Sequence, residues 1–374
     1  MKKILFVIDT LQFGGSEQSL LENVKRLKHL QPVVCHLYCG DTLKPKFIEN
    51  GIRVHSFNIR KKYGFAEAFR QLNKLVQKEK PDLLVAYLTR SEIVTRIVGR
   101  NNKIPVIGTF VNDLYAKTYN QHLPWFSKKV VYFFKCLNKL TSRYCTGFIA
   151  NSGAVKEANA KHLNIPLHKI EVIHRGRNSN NFERKYFDEH PADTIRFLNV
   201  ARLFPVKGHK DLILGFRDFA QNNSGVSLHI AGDGPLYGEL TDLIKEHKLE
   251  DKVFLLGSRG DVATLLKEFD CFVFPSLVEG FSGAVVEAMF AGLPVLASDI
   301  PQNKEAITHL QTGYLFRKES AQEIQKAMSW YKDNRPYANE LAGKAYEYAR
   351  ENFELEKIVH KFETYLDSSI NQAN

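Results

Sequence analysis

Residues 271–299, CFVFPSLVEGFSGAVVEAMFAGLPVLASD, alternate β-prone and helical segments with glycine between them. Cys271 to Phe274 are apolar and suit a buried strand, which Pro275-Ser276 ends. Glu279, Gly280, Ser282 and Gly283 form a loop able to take unusual backbone angles. Residues 284–290 read as a short helix stopped by Gly292 and Pro294, and 294–297 start the next buried strand. Two carboxylates bracket the loop and helix, Glu279 before it and Glu287 within it. A helix that begins in a Gly/Ser loop offers free N–H groups and a positive dipole end, suited to a phosphate. Acids beside it are poor phosphate ligands and good acceptors for sugar hydroxyls. The expected ligand is a nucleotide sugar.

The 374 residues exceed one ordinary core and imply two domains of roughly 150–200 residues each. Hydrophobic content of 44% and charged content of 25% are those of a globular protein rather than a disordered chain. No apolar run approaches the ~18–20 residues of a membrane span. The start, MKKILFVID, imitates a signal peptide until Asp9 cuts the run short, so it reads as a first buried strand. A cytoplasmic location is expected. The five cysteines (35, 39, 136, 145 and 271) form no CxxC pair, which suits reduced thiols and gives no metal pattern. Charge is uneven: residues 1–190 carry 32 Lys+Arg against 15 Asp+Glu, and the remainder 20 against 26. A basic first half suggests an anionic surface or ligand there, or simply solvated charge. Nucleic acid is disfavoured as a partner, because no helix-turn-helix, RNA-recognition or zinc-finger signature is present.

Short apolar runs at 4–8, 33–38, 53–57, 83–87, 106–110 and 147–151 alternate with amphipathic stretches such as 17–30 and 66–79. The same rhythm restarts with strands expected at 197–200, 227–230, 252–255, 271–274 and 295–297. The chain then turns helical at 321–331, 339–352 and 355–369. Strand–helix alternation of this kind predicts an α/β protein with two doubly wound parallel sheets. The expected domains are 1–185 and 190–354, with a polar linker near 178–193 and helix 355–374 returning to the first domain. Two Rossmann-like domains facing across a cleft would place a site at the C-terminal edges of their strands.

Three further pieces of the second half point to such a site. Arg202 and Lys207, in ARLFPVKG, flank a turn after a strand and suit a diphosphate, Arg as a fork and Lys as a point charge. IAGDGP puts Gly232 and Gly234 where backbone must turn sharply or approach a ligand. Ser258 and Arg259 end another strand, where they are placed to read a base. Singly, each is an ordinary turn or surface charge. In order, along one sheet, they form a set.

That set resembles the family-4 retaining glycosyltransferases, which have the GT-B fold of two Rossmann-like domains. The resemblance is strongest over 197–316, through ARLFPVKG, IAGDGP, the E-x7-E pair of Glu279 and Glu287 with its flanking residues, and HLQTGYLF. It is looser through KILFVIDTLQFGGSEQ and VIHRGRNSNNF. It implies a transferase moving a sugar from a nucleotide-diphosphate sugar to a glycan or lipid-linked acceptor with retention, as in polysaccharide or lipopolysaccharide synthesis. Arg202 and Lys207 would neutralise the diphosphate, Glu287 would accept from ribose hydroxyls, and Glu279 with the backbone of Phe281, Ser282 and Gly283 would hold the donor sugar. Gly14 and Gly15 would face the phosphates from the first domain. No metal or other cofactor is implied.

Two stretches depart from the family pattern. Relatives carry a histidine after the strand matching 106–110, where this sequence has Val111-Asn112-Asp113, so Asn112 or Asp113 is expected to take its place. His174-Arg175-Gly176-Arg177 replaces the common Pro-Asn-Gly-Val-Asp form. Arg175 could approach the phosphates or be a plain linker cation.

Residues 123–144, LPWFSKKVVYFFKCLNKLTSRY, interleave aromatics with lysines. Such a helix could lie on an anionic membrane surface, with Arg60, Lys61 and Lys62 adding charge. Equally, its aromatics could face the core and its lysines the solvent. The first reading places the protein on the inner face of the cell membrane as a peripheral protein. A nucleotide-sugar epimerase of the same fold and a non-catalytic nucleotide-sugar binder are the competing functions.

Overall fold

The computed structural model describes residues 1–120, 123–185 and 194–372. It divides into two compact units, Met1–Arg175 with Glu356–Asn374, and Gly176–Leu355. The division falls before residue 185, where the sequence reading drew it, because residues after Gly176 pack on the second unit. There the Lys185 N–H donates to the Ala291 carbonyl (2.8 Å) and its ammonium lies 3.2 Å from Asp270. The second half of the expected linker, 186–193, lies outside the described residues.

In the first unit the strands are β1 (Lys2–Ile8), β2 (Leu30–Tyr38), β3 (Arg53–Ile59), β4 (Leu83–Tyr87), β5 (Val106–Phe110), β6 (Gly147–Ala150) and β7 (Ile170–Val172). Its helices are α1 (Gly15–Val24), α2 (Lys44–Glu49), α3 (Phe65–Glu79), α4 (Thr89–Asn102), α5 (Lys117–Asn120), α6 (Trp125–Ser142) and α7 (Gly153–Leu163). The second unit has β8 (Ile195–Val200), β9 (Val226–Ala231), β10 (Val253–Gly257), β11 (Cys271–Phe274), β12 (Val295–Ser298) and β13 (Tyr314–Phe316). Its helices are α8 (His209–Ala220), α9 (Tyr237–Glu246), α10 (Val262–Lys267), α11 (Gly283–Phe290), α12 (Pro301–Lys304), α13 (Ala321–Asp333) and α14 (Arg335–Asn352); α15 (Leu355–Asn371) ends the chain.

Every strand pair is parallel, in the orders β3-β2-β1-β4-β5-β6-β7 and β10-β9-β8-β11-β12-β13. These are two α/β Rossmann-like sheets, as expected. Central strands such as β4, β5, β11 and β12 are buried along their whole length. That explains their near-continuous apolar sequences, since helices cover both faces of such a sheet. Strand order reverses between β1 and β4 in one sheet and between β8 and β11 in the other, the places where open parallel sheets bind ligands.

The sequence reading had no β7 and did not separate β13. Both are three-residue edge strands with only one buried position, too short to show a pattern. Helix α15 packs within the first unit: Phe362 stacks on Phe6, and the buried Glu363 carboxylate accepts the N–H groups of Lys28, His29 and Leu30 at 2.6–3.2 Å. Those three amides precede or begin β2, so the last helix caps the start of an early strand.

Candidate functional site

In the second unit the loops after β8, β9 and β10 are tied in a row. The Ala201 N–H donates to the Ala231 carbonyl (3.0 Å), Leu203 N–H to Asp233 (3.0 Å), and Gly232 N–H to Gly257 (2.7 Å). A Cβ on Gly232 would stand 1.9 Å from the Ala201 carbonyl oxygen, and one on Gly234 2.6 Å from that of Leu203. The approach that demands glycine here is therefore that of the protein's own backbone. Ser258 and Arg259 lie beyond this row, both exposed, with Arg259 forked onto Asp261 at 2.8 and 2.5 Å.

The turn that carries Lys207 docks on the loop after β11. Gly208 has φ +72°, and a Cβ there would meet the Pro275 carbonyl oxygen at 2.4 Å. Beside it the Leu277 N–H donates to Val206 (2.8 Å). This closure sets the Lys207 ammonium against the Glu279 carboxylate in an ion pair whose side chains are only 14% and 11% exposed. Ser276 Oγ donates to the same carboxylate oxygen at 2.6 Å. Arg202, expected to act with Lys207 as one clamp, is exposed, with its guanidinium 5.1 Å from the centre of the Phe204 ring. Two residues after Lys207, His209 is buried with neither ring nitrogen hydrogen-bonded. Burial, reinforced by Lys207, pushes its pKa down to about 4.

The Glu287 carboxylate lies within α11 and accepts from Arg177 Nε at 2.6 Å. Arg177 Nη1 donates to Gly176, and the guanidinium lies over the start of the helix: a Cβ on Gly283 would be 2.1 Å from Nη2. Arg177 is held by its backbone, which bonds Phe353 and Leu355 (both 2.9 Å), so its side chain is free of that structural duty. The side chains of Phe281 and Ser282 turn inward. Phe281 packs on Phe353, and Ser282 Oγ donates to the buried Asn303, which in turn donates to Ser298. The Gly283 N–H bonds the Phe281 carbonyl at 3.0 Å.

Thus Lys207 joins Glu279 and Arg177 joins Glu287, giving two acid–base pairs around one loop-helix segment. Arg177 is the residue that sequence reasoning missed. It stands 110 positions from its partner, and its one signal was the departure of HRGR from the common form.

In the first unit, Gly14 and Gly15 open α1. A Cβ on Gly14 would meet Glu17 Oε2 at 2.3 Å, and one on Gly15 would meet Arg175 Nη1 at 2.8 Å. Arg175 therefore reaches the start of α1, so that each arginine flanking Gly176 lies on the opening glycine of a helix.

Asn112 lines a cavity of about 300 Å³ together with Asp9, Arg90, Glu92, Tyr115 and Asn138. Asp9, at the end of β1, accepts from Arg90 (2.9 Å) and from the N–H (2.8 Å) and hydroxyl (2.6 Å) of Ser91. Leu88, which also lines this cavity, holds φ +70°, a strained angle for a bulky residue. Burial pushes the Tyr115 hydroxyl up to about 12. Asp113 caps the Tyr115 N–H (3.1 Å) and pairs with His162 of α7 at 3.3 Å. Burial lowers the pKa of that imidazole despite the carboxylate. Of the two candidates for the missing histidine's place, Asn112 faces the cavity and Asp113 is committed to this turn.

Among the described residues no group of three or more His, Cys, Asp or Glu side chains is arranged to hold a metal ion. Nor is any described helix long and apolar enough to cross a membrane.

Two parallel Rossmann-like sheets with this loop-helix segment define a GT-B protein. Residues 13–180 match the family model Glycosyltransferase Family 4, and residues 182–352 match Glycosyl transferases group 1. The chain belongs to this glycosyltransferase family. It is 28% identical over 239 residues to an uncharacterized glycosyltransferase of Methanocaldococcus jannaschii, an alignment covering 60% of this chain and 57% of that one. It is also 28% identical over 256 residues to the UDP-Gal:alpha-D-GlcNAc-diphosphoundecaprenol alpha-1,3-galactosyltransferase of Escherichia coli, covering 65% and 64% respectively. The matched stretch is thus under two thirds of either relative. In fold it resembles Anabaena HepE, solved in complex with UDP, with a TM-score of 0.82 at 23% identity over 98% of this chain and 100% of that one.

Proposed function

We propose that the protein transfers a sugar, with retention, from a nucleotide-diphosphate sugar to a glycan or lipid-linked acceptor. The observation that carries this reading is the pair of acid–base contacts, Lys207 with Glu279 and Arg177 with Glu287, set around the start of α11. In this reading Glu287 accepts from the ribose hydroxyls. Arg177 is a positioning residue that keeps the Glu287 carboxylate aimed. Glu279 takes hydroxyls of the donor sugar, with the backbone around Phe281, Ser282 and Gly283 beside it. Lys207 and the exposed Arg202 meet the charge that grows on the leaving diphosphate. The backbone at Gly232 and Gly234 borders the phosphates, and Ser258 and Arg259 the base.

The bond from the sugar's anomeric carbon to the diphosphate oxygen breaks, and its electron pair stays on the phosphate. The acceptor hydroxyl oxygen bonds to the same carbon on the same face and gives its proton to the departing phosphate oxygen. A nucleoside diphosphate and a glycoside are the products. No protein nucleophile takes part, and the cations and the helix start take the place that a metal fills elsewhere.

The E. coli relative's name places it on a diphosphoundecaprenol-linked acceptor. Together with the basic first half, that supports polysaccharide or lipopolysaccharide synthesis at the inner membrane face by a peripheral protein.

A thermal-shift screen with UDP-, GDP- and ADP-sugars, with product analysis, tests the reading. A ligand that binds only the folded state raises its melting temperature. Slow release of nucleoside diphosphate from the stabilising donor is expected, undiminished by chelator. An isomerised sugar in place of hydrolysis makes the protein an epimerase, and the absence of any stabilising nucleotide sugar removes the proposal.

A further inference from the structure

Helix α6 is turned inside out. Its buried residues are Asn138, Thr141 and Ser142, all polar, while Trp125, Phe126, Tyr132 and Phe133 are 58–69% exposed and Leu140 is exposed as well. Exposure recurs at 125, 129, 132, 136 and 139–140, one continuous face at helical spacing. The inward side is held by polar bonds: Asn138 accepts from the fully buried Arg96 and donates to Tyr115 Oη at 2.9 Å. Phe134 is half-buried on the inward side against Tyr63 and Phe65, but the other four rings are left outward, and contiguous apolar surface of this kind marks an interaction site.

The chemistry of the face narrows its partner. Helix α6 contains four lysines (128, 129, 135 and 139) and no acid. Lys129 sits over the Trp125 ring at 4.5 Å. The loop after β3 packs against the flank of α6, because Tyr63 meets the half-buried Phe134, on the side away from the exposed face, with ring centres 5.6 Å apart. That contact brings the exposed Arg60, Lys61 and Lys62 alongside. The two basic clusters, far apart in sequence, therefore lie side by side. A second copy would bring like charge against like charge. A lipid headgroup layer offers anions to the cations and an amphipathic boundary to the aromatics.

We infer that the exposed face of α6 docks on an anionic bilayer, with Trp125, Phe126, Tyr132 and Phe133 at the headgroup boundary and Arg60, Lys61 and Lys62 beside it as further positive charge. The inference deepens the transferase reading, on which it rests for its setting, by naming the surface that brings the protein to a lipid-linked acceptor.

The chain has two tryptophans, so Trp330→Phe in the full-length protein leaves Trp125 as the only reporter. Its emission should move to the blue on phosphatidylcholine vesicles containing phosphatidylglycerol, and stay unchanged on phosphatidylcholine alone. Flotation with the anionic vesicles should fall about tenfold when Phe126, Tyr132 and Phe133 are changed to Ser. It should also fall when Lys128 and Lys129 are changed to Glu, both variants keeping the wild-type melting temperature.

Failure of the wild type to float overturns the inference. So does flotation with no change in Trp125 emission, or conversion of a dimer to a monomer by the Ser variant. Retention on RNA without vesicle binding overturns it too. The nucleotide-sugar thermal shift, run on the same proteins, should be unaffected by either variant. If it is absent throughout while flotation persists, the transferase reading fails and the docking surface stands.

Discussion

Helices α11 and α6 are both rich in apolar residues, and the fold uses them in opposite ways. In GAVVEAMF of α11, Val285, Val286, Ala288, Met289 and Phe290 are buried between β11, β12 and α14, and Glu287 is its one charged group. In α6 the fully buried residues are the polar Asn138, Thr141 and Ser142, and Trp125, Phe126, Tyr132 and Phe133 are outside. Composition shows that a helix has apolar surface, but the neighbouring elements decide whether that surface is covered. For α11 a strand lies on each side in sequence, so its burial follows from the strand–helix–strand pattern. For α6 the nearest cover is α4, which presents Arg96 rather than an apolar ridge.

The largest expected contrast is in stability. Phe290 is fully buried beside Phe182 and Tyr346, so Phe290→Ala should cost about 3–5 kcal/mol in urea unfolding. Phe133→Ala should change stability by no more than about 0.5 kcal/mol. Equal costs would mean that α6 is covered in solution and the contrast is wrong.

A smaller effect lies next to the donor segment. His209 titrates at about 4 in the folded protein against about 6.5 unfolded, so below 6.5 the unfolded chain takes up a proton that the folded one refuses. Its contribution is fully present above pH 6.5. It should be lost at about 1.4 kcal/mol per pH unit as pH falls from 6.5 towards 4. His209→Leu should flatten that part of the stability–pH curve, and an unaltered slope would show the imidazole is not the cause.

The smallest effect sharpens the site itself. If Arg177 aims Glu287 at ribose, Arg177→Gln should weaken nucleoside diphosphate binding about tenfold. It should also erase most of the preference for ribose over 2′-deoxyribose, with Arg177→Lys restoring part of it. Weaker binding with the preference intact would make Arg177 merely structural.

The sequence shows most of this fold because fully buried parallel strands are continuous apolar runs, as at residues 83–87 and 271–274. β7 and β13 escape it because three residues at a sheet edge bury too little to leave a pattern. Glu279 and Glu287 could be picked out because loop and helix lie within one stretch of chain. Arg177 could not, since its pairing joins residues from distant parts of the chain. Gly232 and Gly234 suit either a sharp turn or close approach to a ligand, and the backbone of 201–203 is what crowds them. Local spacing cannot tell these two causes apart. The orientation of α6 depends on Arg96 and Asn138, and the aromatic pattern alone suits either face.

The most direct measurement of the central claim is calorimetric titration of the wild type and Glu287→Ala with the nucleoside diphosphate that stabilises the wild type most. Loss of the ribose acceptor should weaken binding at least about tenfold with the fold intact. Unchanged affinity in the variant would contradict the assignment of the donor site to the segment around α11.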